Sequence, residues 1–336
     1  MAKIALIVLS FFIYTLSIKA QEGTQDVIVA GTDDASKLLK GYYGPAMEGS
    51  IYSINNGWAH SAEVHKPFGF DLSIGVSGAI VPPSKQFFKV TGLTRVNQRD
   101  GGVYEGPTLI SNQVHGNYLT VITSNEFSLA VRMPGGLEKR LPLNAIPAPI
   151  AQLNLGLPHK AEIIFRYLPK INIAGENLSY NLLGIGLKKE ITDWFGEFNN
   201  LPLHISLLAS YTNFDVQYRF ANLNSEILST ENGAGAFDLQ AYNIQALFSL
   251  NYSTVNFYGG LGYGYGNSNF EFKGRYIYDK GGPDEDLYDT PNLKFSSGSL
   301  KATLGTRLDF NYFKIFADFT LQKYNTISTG IVFSLK

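Results

Sequence analysis

The chain of 336 residues contains no cysteine. That excludes disulfide scaffolds, Cys-ligated zinc and thiol catalysis. Charge is also scarce, at 16% of residues against about 25% in an average globular domain. The 27 basic and 28 acidic residues nearly cancel, so there is no electrostatic footprint for nucleic acid. Long apolar runs are missing too. Beyond Gln21 nothing approaches the roughly 18 consecutive apolar residues that a membrane-spanning helix needs. What is abundant is aromatic and small: 23 Phe, 20 Tyr, 2 Trp and 34 Gly, with 45% hydrophobic residues overall. This is too apolar for a disordered chain. It suits strands that meet lipid on one face.

The N-terminus reads as an export signal. Lys3 precedes an apolar stretch at residues 4–16 (IALIVLSFFIYTL), and Ser17-Ile18-Lys19-Ala20 ends in a small residue before Gln21. The pattern predicts a signal peptide over residues 1–20, cleaved after Ala20. An exported chain without helical spans is either soluble or a closed β-barrel in an outer membrane, where the closed ring satisfies every backbone polar group.

Residues 21–65 differ from the rest. Asp33 or Asp34 can cap a short helix over residues 35–40, which Gly41 would stop. Residues 44–56 can hold another, and Asn55-Asn56-Gly57 signals a turn. This is too little for an independent domain, and it is expected to pack as a plug-like segment onto or into something larger. From Lys66 onward the chain alternates. In residues 203–212, Leu203, Ile205, Leu207, Ala209 and Tyr211 share one face, while His204, Ser206, Ser210 and Thr212 share the other. Residues 242–251, 255–266, 300–310, 313–321 and 327–335 repeat the pattern. Earlier candidates lie at 68–81, 87–96, 118–124, 127–133, 148–157, 161–168 and 178–189. Period-2 alternation over ten or so residues marks half-buried strands, longer than the usual 5–6 residues and matched to the roughly 9–11 that cross a bilayer at a tilt. A soluble sandwich would alternate as well, with its apolar face as the core. Strand length, repetition to the chain's end and low charge favour an all-β, antiparallel transmembrane barrel of 12–14 strands over residues 66–336. Residues 191–198 (ITDWFGEF) read as a short amphipathic helix whose Trp194 and Phe195 suit a membrane–water interface.

Several constellations invite a chemical reading. His204 and Ser206 lie at i and i+2 on one strand face, a spacing at which an imidazole can deprotonate a hydroxyl; the register points them inward, away from lipid. His60, Glu63 and His65 match no helical zinc spacing and read as a polar cluster. The acids Asp279, Asp284, Glu285, Asp286 and Asp289 lack the spacing of an EF-hand, so residues 279–290 read as a solvated outer loop. Residues 259–266 (GGLGYGYG) lack the Lys-Ser/Thr of a phosphate loop and fit a barrel wall, where glycine leaves space or accepts a ring. Glu162, Arg166, Lys301, Arg307, Asp309, Lys314 and Asp318 fall on inward positions. They either line a water-filled path or pair across the interior. No enzymatic activity, cofactor or metal is expected.

Four strings together resemble a known family: INNGWAHSAEVHKPFGFDLSIGVSGAIVP around Trp58, IPAPIAQLNLGLPHKAEIIFRYLPKI, LLGIGLKKEITDWF and LPLHISLLASYT. They resemble an uncharacterised family of outer-membrane-type proteins of the Bacteroidota, a domain of unknown function. Its layout is distantly similar to FadL-type transporters of hydrophobic compounds, which carry an N-terminal plug inside a barrel. The resemblance implies an outer-membrane protein contacting membrane lipid, with residues 21–65 as the plug. It further implies a plugged channel or transporter for a small hydrophobic ligand, held by Tyr42, Tyr43, Trp58, Phe68 and Phe70. Two other readings stand beside it: a structural or interaction barrel that scaffolds partners through its loops, and a lipid-modifying enzyme using His204 and Ser206. A lumen filled by side chains favours the first of these, and lumenal burial of the His–Ser pair defeats the second.

Overall fold

The alternating segments form long antiparallel strands that close into a ring in the computed structural model. It describes residues 26–97, 103–113, 115–122, 128–137, 142–173, 178–200, 202–219, 228–278, 285–287, 290–310 and 312–335. Strand β1 (Phe70–Ile80) opens the ring. The connection that follows carries β2 (Phe87–Thr91), β3 (Val96–Asn97), β4 (Val103–Pro107), β5 (His115–Ile122) and β6 (Ser128–Pro134). Then come β7 (Ala145–Leu157), β8 (Ala161–Ile173), β9 (Leu178–Glu190), β10 (Leu203–Arg219), β11 (Leu228–Asn251) and β12 (Val255–Tyr278). After the short β13 (Glu285–Leu287) follow β14 (Asn292–Asp309), β15 (Phe313–Leu321) and β16 (Thr326–Leu335).

Each stave of the ring pairs with the next along the chain, and β16 closes onto β1 with Phe70 opposite Leu335. Among the described residues ten strands make this ring: β1, β7–β12 and β14–β16. The fold is therefore the expected antiparallel transmembrane barrel, with ten staves where sequence alternation counts 12–14. The difference lies in residues 87–134. Those candidates pair as β2 with β4 and as β3–β5–β6, apart from the ring, because short strands with Gly and Pro between them cannot cross a bilayer.

The outer face of the ring is apolar where a soluble protein would be polar. Leu300 is 77% exposed, Leu304 68% and Leu261 67%. A sandwich would bury these side chains, whereas lipid covers them in a barrel. Tyrosines mark one rim of this belt, with Tyr242 lying 5.2 Å from Tyr211 and 6.4 Å from Tyr265 between ring centroids. Phe310 stacked on Phe313, with Trp194 and Phe195 beyond, marks the other. Such aromatic girdles belong at the two membrane–water interfaces. Residues 192–200 form a 3-10 helix rather than an amphipathic α-helix, and it breaks where Gly196 takes φ 61°.

The ring's interior is occupied by the N-terminal segment. Helix α1 (Thr32–Ile54) packs against β1, β7, β11, β12 and β14. Its 23 residues reach about 35 Å, comparable to the roughly 30 Å of a bilayer core. The sequence predicts two short helices broken at Gly41, and the structure corrects this to one. Gly41, Gly44 and Gly49 cost about 1 kcal/mol each and Pro45 about 3. Burial outweighs that cost. Leu38, Leu39, Tyr42, Tyr43, Met47, Ile51, Tyr52 and Ile54 are all buried, at roughly 1.5–3 kcal/mol apiece. The glycines also admit neighbours: a Cβ on Gly49 would stand 2.7 Å from Ile146 Cγ1.

The turns β7–β8, β11–β12 and β14–β15 are short, while the β1–β7 connection at the opposite end spans residues 81–144. That connection folds over the upper half of α1 as a cap. Phe88, Tyr104, Leu119, Val121, Val131 and Met133 join α1 and the long upper ends of β11 and β12 in one apolar core. The Asp34 carboxylate accepts hydrogen bonds from the backbone N–H groups of Thr94 (2.8 Å) and Arg95 (2.7 Å) and so ties the helix start to the cap.

Candidate functional site

Below α1 the chain leaves helical geometry and descends through the lumen as residues 55–69. An irregular segment there has backbone groups with no neighbouring strand to pair with, and each would be costly if left unpaired. Inward side chains of the ring supply the partners. Arg166, 1% exposed, donates through Nη1 to the Ile54 and Asn56 carbonyls at 3.1 and 3.3 Å. Its guanidinium also lies 4.0 Å over the Trp58 ring, a cation–π contact, and donates to Gln152 Oε1. Gln152 Nε2 donates onward to the Trp58 carbonyl at 3.2 Å. Lys301 Nζ donates to the Asn55 carbonyl at 2.9 Å. Lys188 Nζ donates to the Glu63 carbonyl at 3.0 Å while pairing with Glu162 at 2.8 Å.

Carboxylates take the N–H groups of the same segment. Glu190 Oε2 accepts from the Val64 N–H at 3.2 Å, and Glu162 Oε2 from the His65 N–H at 3.1 Å. The His65 ring bridges two acids, with Nδ1 2.7 Å from Glu162 and Nε2 3.1 Å from Asp71. Burial opposes a charge on this ring. The two carboxylates outweigh burial and hold its pKa up at about 9. His60 is the opposite case. Burial lowers it most, Asp71 counteracts, and Arg307, Lys314 and Lys188 lower it further, to about 3. It stacks on Phe316 at 5.5 Å as a neutral ring.

Two glycines of β9 make room for the indole: a Cβ on Gly184 would approach Trp58 at 2.9 Å and one on Gly186 at 3.2 Å. Gly57 turns the chain with φ 69°, and a Cβ there would meet Ile150 Cδ1 at 2.4 Å.

All seven lumen-lining charges predicted from the sequence fall on the inner face. Glu162, Arg166, Lys301, Arg307 and Asp318 are buried there. Asp309 pairs with Arg307 at 2.7 Å, and Asp318 accepts from the Tyr258 hydroxyl at 2.9 Å. Pairing dominates over an open path, and the main partner is the segment's backbone rather than the opposite wall. The five predicted ligand-binding residues do not converge. Tyr42 and Tyr43 are buried in the capped core, Trp58 sits under Arg166 in the lower lumen, and Phe68 and Phe70 face outward at the rim. Ser206 Oγ donates to the Ala62 carbonyl, and His204 pairs with Glu190 at 2.9 Å. Both serve the lumenal segment, away from lipid. Glu63 accepts from Asn251 at 2.6 Å, so it does not join His60 and His65 around a common centre. Residues 1–20 and most of the acidic stretch 279–290 lie outside the described residues.

Gln152, Asn154, Lys188, Glu190 and Asp71 were not singled out by sequence reasoning. Their signal was available, since each is a charged or amide residue at an inward position of an alternating strand. What the sequence lacked was the knowledge that residues 55–65 would lie against them.

The family of unknown function DUF6588 matches residues 1–335, and the chain belongs to it. Comparison with curated protein sequences gives no match. Among solved structures, the chain is similar to Ail, the attachment invasion locus protein of Yersinia pestis, at 14% identity over 80% of this chain and 100% of that one, with a TM-score of 0.28. It is similar to the translocator domain of autotransporter NalP from Neisseria meningitidis at 10% identity over 81% and 90% of the two chains, TM-score 0.32. The toluene transporter TodX of Pseudomonas putida aligns at 8% identity over 80% and 90%, TM-score 0.17.

Proposed function

We propose that this member of the DUF6588 family is an exported outer-membrane barrel, closed at rest by its own N-terminal segment, that acts as an interaction module through the cap at its long-connection end. The filled lumen carries this reading. Helix α1 buries 14 of its 23 residues, and wall side chains bind the backbone below it, so the described residues fill the lumen with chain. The cap, in contrast, is a folded structure beyond the apolar belt with its own apolar core. An outward cap follows from the usual arrangement of such barrels, with short turns inside and long connections outside.

A plugged channel is the second reading, and one observation favours it. Residues 55–65 are held mainly by single polar side chains reaching backbone atoms, with only a small apolar cluster around Trp58 and Ala62, and polar contacts can be exchanged for water. The polar lower lumen then suits a polar solute better than a hydrophobic one. Solute flux into liposomes separates the two. The full-length protein is expected to give no flux, and a chain lacking residues 21–65 to give flux if it still closes. Flux through the full-length protein would overturn the interaction reading.

A further inference from the structure

Above the tyrosine rim the barrel wall reverses its polarity. Phe237, Leu239, Phe270, Leu293 and Phe295 turn inward and join the capped core. The outward positions between them are polar. Strand register sets them in two rows across β11, β12 and β14: Gln240, Asn267 and Ser296, and beyond these Asp238, Asn269 and Lys294. These six side chains line a groove of about 460 Å³. Tyr242 and Tyr265, paired across β11 and β12, form its lower edge. The Tyr242 hydroxyl donates to Gln240 Oε1 at 3.4 Å.

Height decides what can reach this groove. Each residue rises about 3.3 Å along a strand tilted by roughly 40°, so Gln240 and Asp238 stand about 5 and 10 Å above Tyr242. The polar zone of one leaflet is about 5–8 Å deep. The lower row therefore lies within the headgroup layer and the upper row at its outer edge. Chemistry narrows the occupant further. The lining carries one acid and one base, Asp238 and Lys294, and so has no excess of either sign. Asp215, across from Asp238, is already engaged by the Asn181 and Asn213 amides at 2.8 and 2.9 Å. Amides, a hydroxyl and a carboxylate side by side can both donate to and accept from neighbouring hydroxyl groups. The tyrosine rings below offer a flat apolar surface to the C–H face of a sugar ring.

We propose that this groove holds the saccharide headgroup of a glycolipid in the surrounding leaflet, with its chains against the apolar belt and its hydroxyls on Gln240, Asn267 and Asp238. A lipid is the occupant because the groove is continuous with the lipid-covered belt below it. A headgroup of phosphocholine size meets the lower row alone, whereas one or two sugar rings span both rows. The site needs the barrel to sit in a membrane, but it does not rest on the interaction role of the cap.

Native mass spectrometry of the full-length protein, released from nanodiscs of phosphatidylcholine mixed equally with a dihexosyl diacylglycerol, tests this. The protein is expected to retain the glycolipid in preference to phosphatidylcholine. Gln240→Ala combined with Asn267→Ala should reduce that preference about tenfold, the effect of losing two neutral hydrogen bonds. Both positions are exposed, and heat-dependent gel migration shows whether the variant is folded. Tyr252→Ala, in the β11–β12 turn at the opposite rim, should leave the preference unchanged. Equal retention of the two lipids would overturn the proposal, and so would a preference that the double variant keeps. Displacement of the glycolipid by free lactose at equal concentration would assign the groove to a soluble sugar and overturn the lipid as its occupant. None of these readings depends on solute flux, so this proposal and the closed-barrel reading fail separately.

Discussion

At the scale of single residues, the buried charges are explained by what they touch. Among the described residues Arg166 has no carboxylate partner; it satisfies two backbone carbonyls, an amide oxygen and an indole face. Removing such a group leaves several buried acceptors unpaired. Arg166→Met is therefore expected to lower unfolding free energy by about 3 kcal/mol or more, read from urea titration in lipid vesicles. Arg166→Lys should recover only part, because an ammonium cannot fork between two carbonyls or stack as flatly. The two histidines give opposite pH dependences. His65 has a folded pKa of about 9 against an ordinary 6.5. The folded state holds a proton that the unfolded state releases, so its contribution is full below pH 6.5 and is lost as pH rises through 9. The size is about 3 kcal/mol. His60, at about 3, contributes above pH 6.5 and loses that contribution as pH falls toward 3. Stability is thus expected to peak near pH 6.5. His65→Gln should flatten the alkaline limb alone, and an unchanged alkaline slope in that variant would refute the assignment.

At the scale of elements, strand β9 and the lumenal segment depend on each other through Gly184. Gly184→Leu would drive a side chain into the Trp58 indole. It should destabilise the barrel by about 1–3 kcal/mol and make residues 55–65 more accessible to protease from the short-turn end. Helix α1 admits a direct test of position. A Cβ at Gly49 would lie 3.3 Å from Ile146 Cβ, close to the roughly 3.8 Å typical of a disulfide. Since the chain has no other cysteine, Gly49→Cys with Ile146→Cys is expected to form a bond on mild oxidation, seen as a reductant-sensitive gel shift. Failure to cross-link would place α1 elsewhere. The elements differ in how far the sequence revealed them. Strands such as β15 were legible because lipid on one side and lumen on the other impose a strict period of two. Helix α1 was hidden because its glycines and Pro45 argue locally against it. Only burial inside the ring reverses that balance. The cap strands read as staves because alternation alone does not say which strands a residue's neighbours belong to.

At the scale of the whole molecule, the barrel and its contents form one hydrogen-bonded system. The upper lumen is an apolar core shared by α1, the cap and the long ends of β11 and β12. The lower lumen is a polar seat for an irregular chain. The cysteine-locked variant extends the flux experiment to this scale. With α1 fixed to β7, a protein that conducts by releasing its plug would lose flux on oxidation and regain it on reduction. The closed interaction module proposed above is expected to show no flux in either state.

By itself the sequence determined which residues of a strand share a face, and in the lower half of the barrel it divided them correctly: aromatics and aliphatics toward lipid, and Gly, Ser, Asn and the few charges toward the interior. It did so because period-2 geometry ties every side chain to a face before any tertiary contact forms. It also placed the seven charges on the interior, while leaving open whether they would line a water-filled path or pair, because both suit a polar barrel interior. The tertiary structure alone decided how many staves close the ring and that a single helix fills its upper half. It also decided that Arg166, Lys301 and Lys188 have backbone carbonyls as partners. Those outcomes depend on contacts between residues far apart in the chain, such as Lys301 with Asn55, and local pattern carries no record of them.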